Sequence, residues 1–255
     1  IELGDKTFSL MVMGVGIEGT EDNFYYKEYE LEVLVSLNQY GFPFYSASQK
    51  TSPLVVNLTD DGGYILAGFS ETYGNGWWDA WIVKTDAKGK GEWHRSFGTN
   101  GKEVALQVMQ MDDGGYVILG EHGLAGKAGD ILFIQTNSEG YHQNQVTYGG
   151  SDNDGARQMI QTSDGGYAII GYTYSYGGGG RDIWLIKTDK NGKEEWSKAY
   201  GWVYNETGFS LVQTVDDGYL LVGSKWNPIL KKHNIWIVKV GPSGAQEWDR
   251  LVDEN

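Results

Sequence analysis

The chain has 255 residues, 40% hydrophobic and 21% charged, the balance of a globular protein long enough to bury its own core. Its formal net charge of −14 repels phosphate backbones and anionic bilayers, so no nucleic acid and no membrane insertion are expected. It has no cysteine, which excludes a disulfide scaffold and a thiolate metal site. No apolar run reaches the ~18–20 residues of a membrane span. Aromatics at 14% and 38 glycines against 4 prolines favour short strands joined by tight turns.

Taken in order, the chain repeats with a period of about 52 residues. A glycine closes an apolar strand at Gly14, Gly68, Gly120, Gly171 and Gly223. Ahead of it runs a DGGY-type turn with Tyr64, Tyr116, Tyr167 and Tyr219, and Leu10 in the first copy. Behind it comes a [D/N]-x-x-G turn starting at Asn38, Asp86, Asn137 and Asp189, with Gly241 in that place in the last copy. Beyond the turn the equivalent positions are Tyr45, Trp93, Asn144, Trp196 and Trp248.

Each copy reads as four strands, A to D. Strand A is 105–111 or 156–162, strand B 64–70 or 219–224, strand C 81–85, 132–136, 184–188 or 236–240, and strand D 92–98. Strand C is almost continuously apolar at its start, which implies cover on both faces. Sheets that each lie between two like sheets achieve this when arranged radially. The expectation is an all-β, single-domain, five-bladed β-propeller of four-stranded antiparallel blades spanning 1–255, with blades at 1–48, 49–100, 101–151, 152–203 and 204–255. The turns agree. Asp61-Gly62-Gly63 and its copies supply positive φ between strands A and B, and the [D/N]-x-x-G turns suit a bulged hairpin between C and D. The first copy departs from the rest: its strand A is nearly missing, and its loop between strands B and C is enlarged within 18–30.

The pattern DGGYxxxG…DxWxIKTDxxGxxxW…YG resembles the propeller-type repeats of secreted or surface-attached archaeal and bacterial proteins. The resemblance covers nearly the whole chain and implies an extracellular or cell-surface setting. It supplies no catalytic residues.

In a ring of A-B-C-D blades the A–B and C–D hairpins share one face, and the B–C and D–A connections share the other. The hairpin face is regular. The loop face differs in every copy, which is where binding residues are expected. It carries the candidate ligand-binding aromatics Tyr25, Tyr26, Trp77, Trp78, Tyr174, Tyr176, Trp202, Tyr204 and Trp226, suited to stacking on sugar rings or gripping an extended polymer. Such rings also cap a core beneath long loops. The central channel is the second candidate, with Gln110, Gln161 and Gln213 in equivalent slots of strand A, able to hold waters or a small polar ligand, or to satisfy one another and the backbone.

Chemistry is thinly represented. His94, His122, His142 and His233 occupy unmatched positions, so no metal centre and no cofactor is expected. Asp79, Asp130 and Asp182 are equivalent positions before strand C, with Asn234 in the fifth copy, which points to loop capping. The pair Asp152 and Asp154 belongs to one D–A loop and is the remaining candidate for a glycosidase-type carboxylate pair. The run Gly177–Gly180 leads into a strand, not a helix, and so makes no phosphate loop. Of two N-x-T sequences, Asn57 falls on an inner strand and Asn205 on an exposed loop. The sequence reading is thus a monomeric, non-enzymatic binding module for a glycan or a protein. The alternatives are an interaction domain of a larger surface protein and a glycoside-processing enzyme.

Overall fold

The computed structural model describes residues 15–20, 23–28, 51–75, 77–123 and 129–252. Eighteen strands are present among them. β1 (Val15–Thr20) and β2 (Asn23–Glu28) form an antiparallel pair, Thr20 opposite Asn23. This pair falls within the stretch of the first copy expected as an enlarged loop; the other elements expected in blade 1–48 lie outside the described residues.

The other sixteen strands make four antiparallel four-stranded sheets, each in simple sequence order. The first contains β3 (Thr51–Leu58), β4 (Tyr64–Ser70), β5 (Asp79–Thr85) and β6 (Gly91–Phe97). The second has β7 (Lys102–Gln110), β8 (Tyr116–Gly123), β9 (Gly129–Thr136) and β10 (His142–Tyr148). The third has β11 (Asp154–Gln161), β12 (Tyr167–Thr173), β13 (Asp182–Thr188) and β14 (Glu194–Tyr200). The fourth has β15 (Glu206–Gln213), β16 (Tyr219–Asn227), β17 (Lys232–Val240) and β18 (Gln246–Val252). The A-B-C-D reading therefore holds in these four copies.

The core lies between sheets. Ala80 and Ile82 of the first sheet pack on Tyr116, Ile118, Leu132 and Ile134 of the second. Leu119, Ile131 and Phe133 meet Met159, Ile169, Trp184 and Ile186 of the third, and Ile170, Ile183 and Leu185 meet Leu211, Leu221, Trp236 and Val238 of the fourth. Successive residues of the C strands thus face opposite interfaces, which is why those strands are apolar on both faces.

The glycine that marks the repeat has a steric cause. In each of the four-stranded sheets strand A slips register opposite it, skipping Leu54, Leu106, Arg157 and Phe209. At this bulge the A-strand backbone turns onto strand B. A methyl group on Gly68, Gly120, Gly171 or Gly223 would stand only 1.9 to 2.3 Å from the carbonyl oxygen of Ser52, Val104, Gly155 or Thr207. Only glycine fits.

The DGGY turns carry a second fixture. Asp61 accepts from the Thr59 hydroxyl and the Gly63 N–H, and it receives the Lys84 ammonium at 2.8 Å. Lys84 also reaches the Thr85 carbonyl and Glu92. Lys187 with Asp164 and Glu195, and Lys239 with Asp216 and Glu247, repeat the arrangement. In the second sheet Gln135 stands in the lysine's place and donates to the Lys190 carbonyl of the next sheet. The first glycine of the turn has φ near 81° at Gly62, Gly114 and Gly165, and Asp217 takes that conformation in the last copy. Asp60 N–H donates to the Gln110 amide oxygen, Ser163 N–H to Gln213, Met159 N–H to Gln107 and Leu211 N–H to Gln158. Gln110 and Gln213, expected to line a channel, therefore stitch strand A of one sheet to its neighbour, while Gln161 is exposed.

Two outcomes follow from these contacts. Gly171→Ala should lower unfolding stability by about 3 kcal/mol or more, read as a fall in thermal midpoint, because backbone must move to admit the methyl. Desolvation opposes ionisation of Asp164, but its bonds to Lys187, Thr162 and Gly166 win and hold the carboxyl at about 2. A depressed acid stabilises the fold fully above its ordinary range and loses that contribution as pH falls through the folded value. Lys187→Met should therefore flatten the decline in thermal midpoint between about pH 4 and pH 2.

Candidate functional site

The loop face is built on a cross-strand row where strands A, B and C meet the loops. The rows are Thr51–Ser70–Asp79, Glu103–His122–Asp130, Asp154–Thr173–Asp182 and Glu206–Lys225–Asn234. The acids at the C-strand position hold the B–C loops: Asp79 accepts from Asn75 N–H and Asp182 from Gly178 N–H. Those at the A-strand position hold the D–A loops: Glu103 accepts from Thr99, Asp154 from Gly150 and Glu206 from Trp202. In the middle position Ser70 and Thr173 accept N–H groups of their own B–C loops, and His122 Nδ1 lies 2.6 Å from Glu103 Oε1.

Asp154 is therefore no free catalytic acid. It is buried, takes the Ser175 hydroxyl at 2.7 Å, and occupies the same slot as Glu103 and Glu206. A common offset ahead of Gly120, Gly171 and Gly223 carries this equivalence in the sequence, and the Glu-to-Asp change conceals it. Asp152 is exposed, its backbone N–H donating to the Ser175 hydroxyl. Burial pushes the carboxyl of Asp182 up, and burial with the nearby Asp182 charge does the same to Glu206. Among the described residues no group of three or more histidine, cysteine, aspartate or glutamate side chains is placed to hold a metal ion.

The candidate aromatics divide by environment. Tyr25 and Tyr26 lie in β2, opposite Glu18 and Ile17, and their side chains are outside the described residues. Trp78 stacks on Phe69 at 4.6 Å and donates from Nε1 to Glu71. Tyr176 packs on Trp184 and donates its hydroxyl to the Gly149 carbonyl. Both hold their loops down. Trp77 is 70% exposed and Trp202 73% exposed, and Tyr174 is open to solvent.

Tyr204 and Trp226 come together. With Val203, Asn205 and His233 they line a cavity of about 340 Å³. Trp226 meets His233 edge to face at 5.1 Å, and its backbone N–H donates to the Asn205 carbonyl. The Asn205 side-chain oxygen accepts from Arg181 N–H, which fixes the cavity's lower wall. Trp202 sits three residues up the same loop. Sequence reasoning found Tyr204 and Trp226 as separate loop aromatics but missed His233 and the role of Asn205. Asn57, the other N-x-T asparagine, donates its side-chain amide to the Val108 carbonyl of the next sheet.

Nearer the bulges a second group converges. Arg157 donates to the Ala156 carbonyl at 2.7 Å and to Glu121 at 3.3 Å, and lies 4.9 Å from the centre of the Tyr172 ring. Arg181 lies 5.1 Å from that ring, and Tyr174 meets its edge at 6.1 Å. Burial pushes the Glu121 carboxyl up, against the pull of Arg157. No signal in the repeat pattern singled out these residues except the bulge slot, where Arg157 stands among Leu54, Leu106 and Phe209.

No protein-family model matches the chain, and no curated protein matches it. Among solved structures it is similar to an exo-β-1,3-galactanase candidate from Bifidobacterium bifidum, at 14% identity and a TM-score of 0.49 over 98% of this chain and 86% of that one. It is also similar to an endo-arabinase from Bacteroides thetaiotaomicron, at 9% identity and 0.41 over 82% of each chain. An endo-1,4-β-xylanase from the same organism matches at 13% identity and 0.41 over 81% of this chain and 76% of that one.

Asp182→Asn tests whether the buried acids are structural. The amide oxygen can still accept from Gly178, and asparagine occupies this slot naturally at Asn234. A buried acid with a raised value stabilises the fold fully below its ordinary range and loses that contribution as pH rises through the folded value. The variant should match the parent in thermal midpoint near pH 4 and exceed it near pH 8.

Proposed function

We propose that this chain is a non-enzymatic binding module that takes a glycan on its B–C/D–A loop face. The observation that carries the reading is the open cleft lined by Tyr204, Asn205, Trp226 and His233, with the exposed Trp202 on the same loop. Aromatic faces supply the apolar platform that a sugar's C–H face requires, and a fixed amide supplies direction. A dimension of about 340 Å³ suits one or two sugar rings. Among the described residues no aspartate or glutamate lines the cavity. The buried loop-face acids described cap loops, so among them general acid–base hydrolysis has no pair to use there. A glycan ligand is consistent with the extracellular or cell-surface setting that the repeat pattern implies.

The platform in this reading is the five-bladed ring expected from the sequence, in which the first copy, 1–48, would be the fifth blade. Ile235 is 53% exposed, whereas Ala80, Ile131 and Ile183 at the same position are each 0% exposed beneath the next sheet. Leu54 and Leu58 are exposed on the first sheet at the other end of the row. Two apolar end faces of this kind are what a closing sheet would cover. Ile235→Asp should accordingly cost about 2 kcal/mol or more, as at any core position; a change within about 0.5 kcal/mol would mean that the face is open to water.

The glycan reading predicts that soluble oligosaccharides change the tryptophan emission of the protein on titration. Trp226→Ala should weaken the best ligand at least tenfold and Trp202→Ala by a smaller factor, with thermal midpoints unchanged. An unresponsive parent protein across neutral and acidic oligosaccharides would remove the reading.

A further inference from the structure

The group around Tyr172 is unusual for this chain. The protein carries 34 acidic against 20 basic residues, yet two of its arginines converge on one tyrosine at the loop face. The bulge in strand A delivers the first. Arg157 is the skipped residue of β11, and a bulge re-aims the side chain it carries. The equivalent residues are Leu54, Leu106 and Phe209, so the local apolar pattern is broken here by a cation. Gly155 makes the approach possible: a methyl there would lie 2.6 Å from the Tyr172 ring and 2.7 Å from Glu121 Oε1.

Arg181 is the second and the less satisfied. It has no carboxylate within ion-pair distance among the described residues. Its Nε is buried and has no hydrogen-bond partner. The residue as a whole is half-buried, and a guanidinium without a carboxylate partner suits a ligand oxygen at its outer N–H groups. Glu121 answers only one of the two arginines, through a single 3.3 Å contact with Arg157. Locally the group carries an excess of positive charge inside a strongly acidic protein. The planar fork of arginine is matched to a carboxylate, and the Tyr172 and Tyr174 rings beside it offer faces for a sugar.

The position ties this group to the cavity. The Arg181 backbone N–H donates to Asn205, which lines the cavity, and the Arg181 carbonyl accepts from Glu206 N–H. The Arg181 backbone is thus bonded directly to a residue that lines the cavity.

We propose that Arg157 and Arg181 form a subsite for the carboxylate of a uronate residue carried on a glycan that occupies the neighbouring aromatic cavity. The proposal rests on the glycan reading given above. It favours isolated uronates on an otherwise neutral chain over polyuronates. The net charge of −14 repels a dense polyanion, whereas beyond ~8 Å at physiological salt a single carboxylate is screened from the protein's distant acids and feels the arginine pair.

The test is calorimetric titration with a panel of oligosaccharides in which every member bearing one uronate is matched by its carboxyl-reduced, neutral form. The parent protein should bind at least one uronate member tenfold or more tighter than its reduced partner, and added sodium chloride should narrow the gap. Arg181→Gln should bring the pair to equal affinity without weakening the neutral member. Arg181→Lys, which keeps the charge and loses the fork, should restore only part of the difference. Trp226→Ala should weaken both members together. Equal binding of every matched pair by the parent protein would overturn the subsite and leave the glycan reading standing. Binding of no member, neutral or acidic, would overturn both. A preference for the uronate that survives in Arg181→Gln and Arg157→Gln, each with the parent's thermal midpoint, would also overturn the assignment.

Discussion

The architecture depends on one close approach: the strand-B glycine beneath the bulged backbone of strand A. A side chain of any size at Gly68, Gly120, Gly171 or Gly223 would meet the opposing carbonyl oxygen at under 2.5 Å. Because the two strands can close at this point, strand A can hold an extra residue at its loop end and still pair along its length. The extra residue is set apart from the ladder, and the loop face takes its first layer of variation from it. The same constraint that makes the repeat recognisable therefore also supplies a variable position in each sheet.

Two further devices keep the scaffold uniform while the loops diverge. On the hairpin face, a lysine buried under the DGGY turn holds its aspartate and a strand-D glutamate in three of the four sheets. One cation held between two carboxylates in partial burial fixes the turn and the strand end at once, whereas Gln135 in the second sheet accepts from Asn144 of strand D and donates to the Lys190 carbonyl of the next sheet. On the loop face, buried acids bind the N–H groups at the roots of the long loops. The roots are fixed and the tips are free to differ, which is the arrangement expected of a rigid platform presenting a binding surface. The cavity between Tyr204 and Trp226 arises where the loop after the third sheet meets the long β16–β17 hairpin of the fourth.

Much of the fold was legible in the sequence because its signals are steric and repeat in register. Glycines that no other residue can replace, aspartates that close turns, and C strands apolar on both faces gave the order of strands in the four described sheets. The same signals misled at Asp154, because the capping slot tolerates either acid and the Glu-to-Asp exchange hid its membership of the repeat. Gln110 and Gln213 do satisfy backbone groups, as one of the two readings had it, but the partners lie in the preceding copy about 50 residues away, a distance that no local pattern reports. The site was legible only as a set of exposed rings. Which rings meet depends on the packing of one loop against another. Trp78 and Tyr176 are held by partners of their own, while Tyr204 and Trp226 share a cavity that His233, unremarkable in sequence, helps to wall. Arg157 was visible as a break in an apolar slot only once the bulge gave that slot a direction.

The central claim is that a regular hairpin face carries the scaffold and the opposite loop face carries the ligand. Amide hydrogen exchange, read peptide by peptide with and without a saturating glycan found by titration, tests it most directly. The account predicts slowed exchange confined to the loops 174–181 and 201–205 and the hairpin 226–233, with the turns 59–63, 111–115, 162–166 and 214–218 unchanged. Protection of those turns, with the loops unaffected, would contradict it.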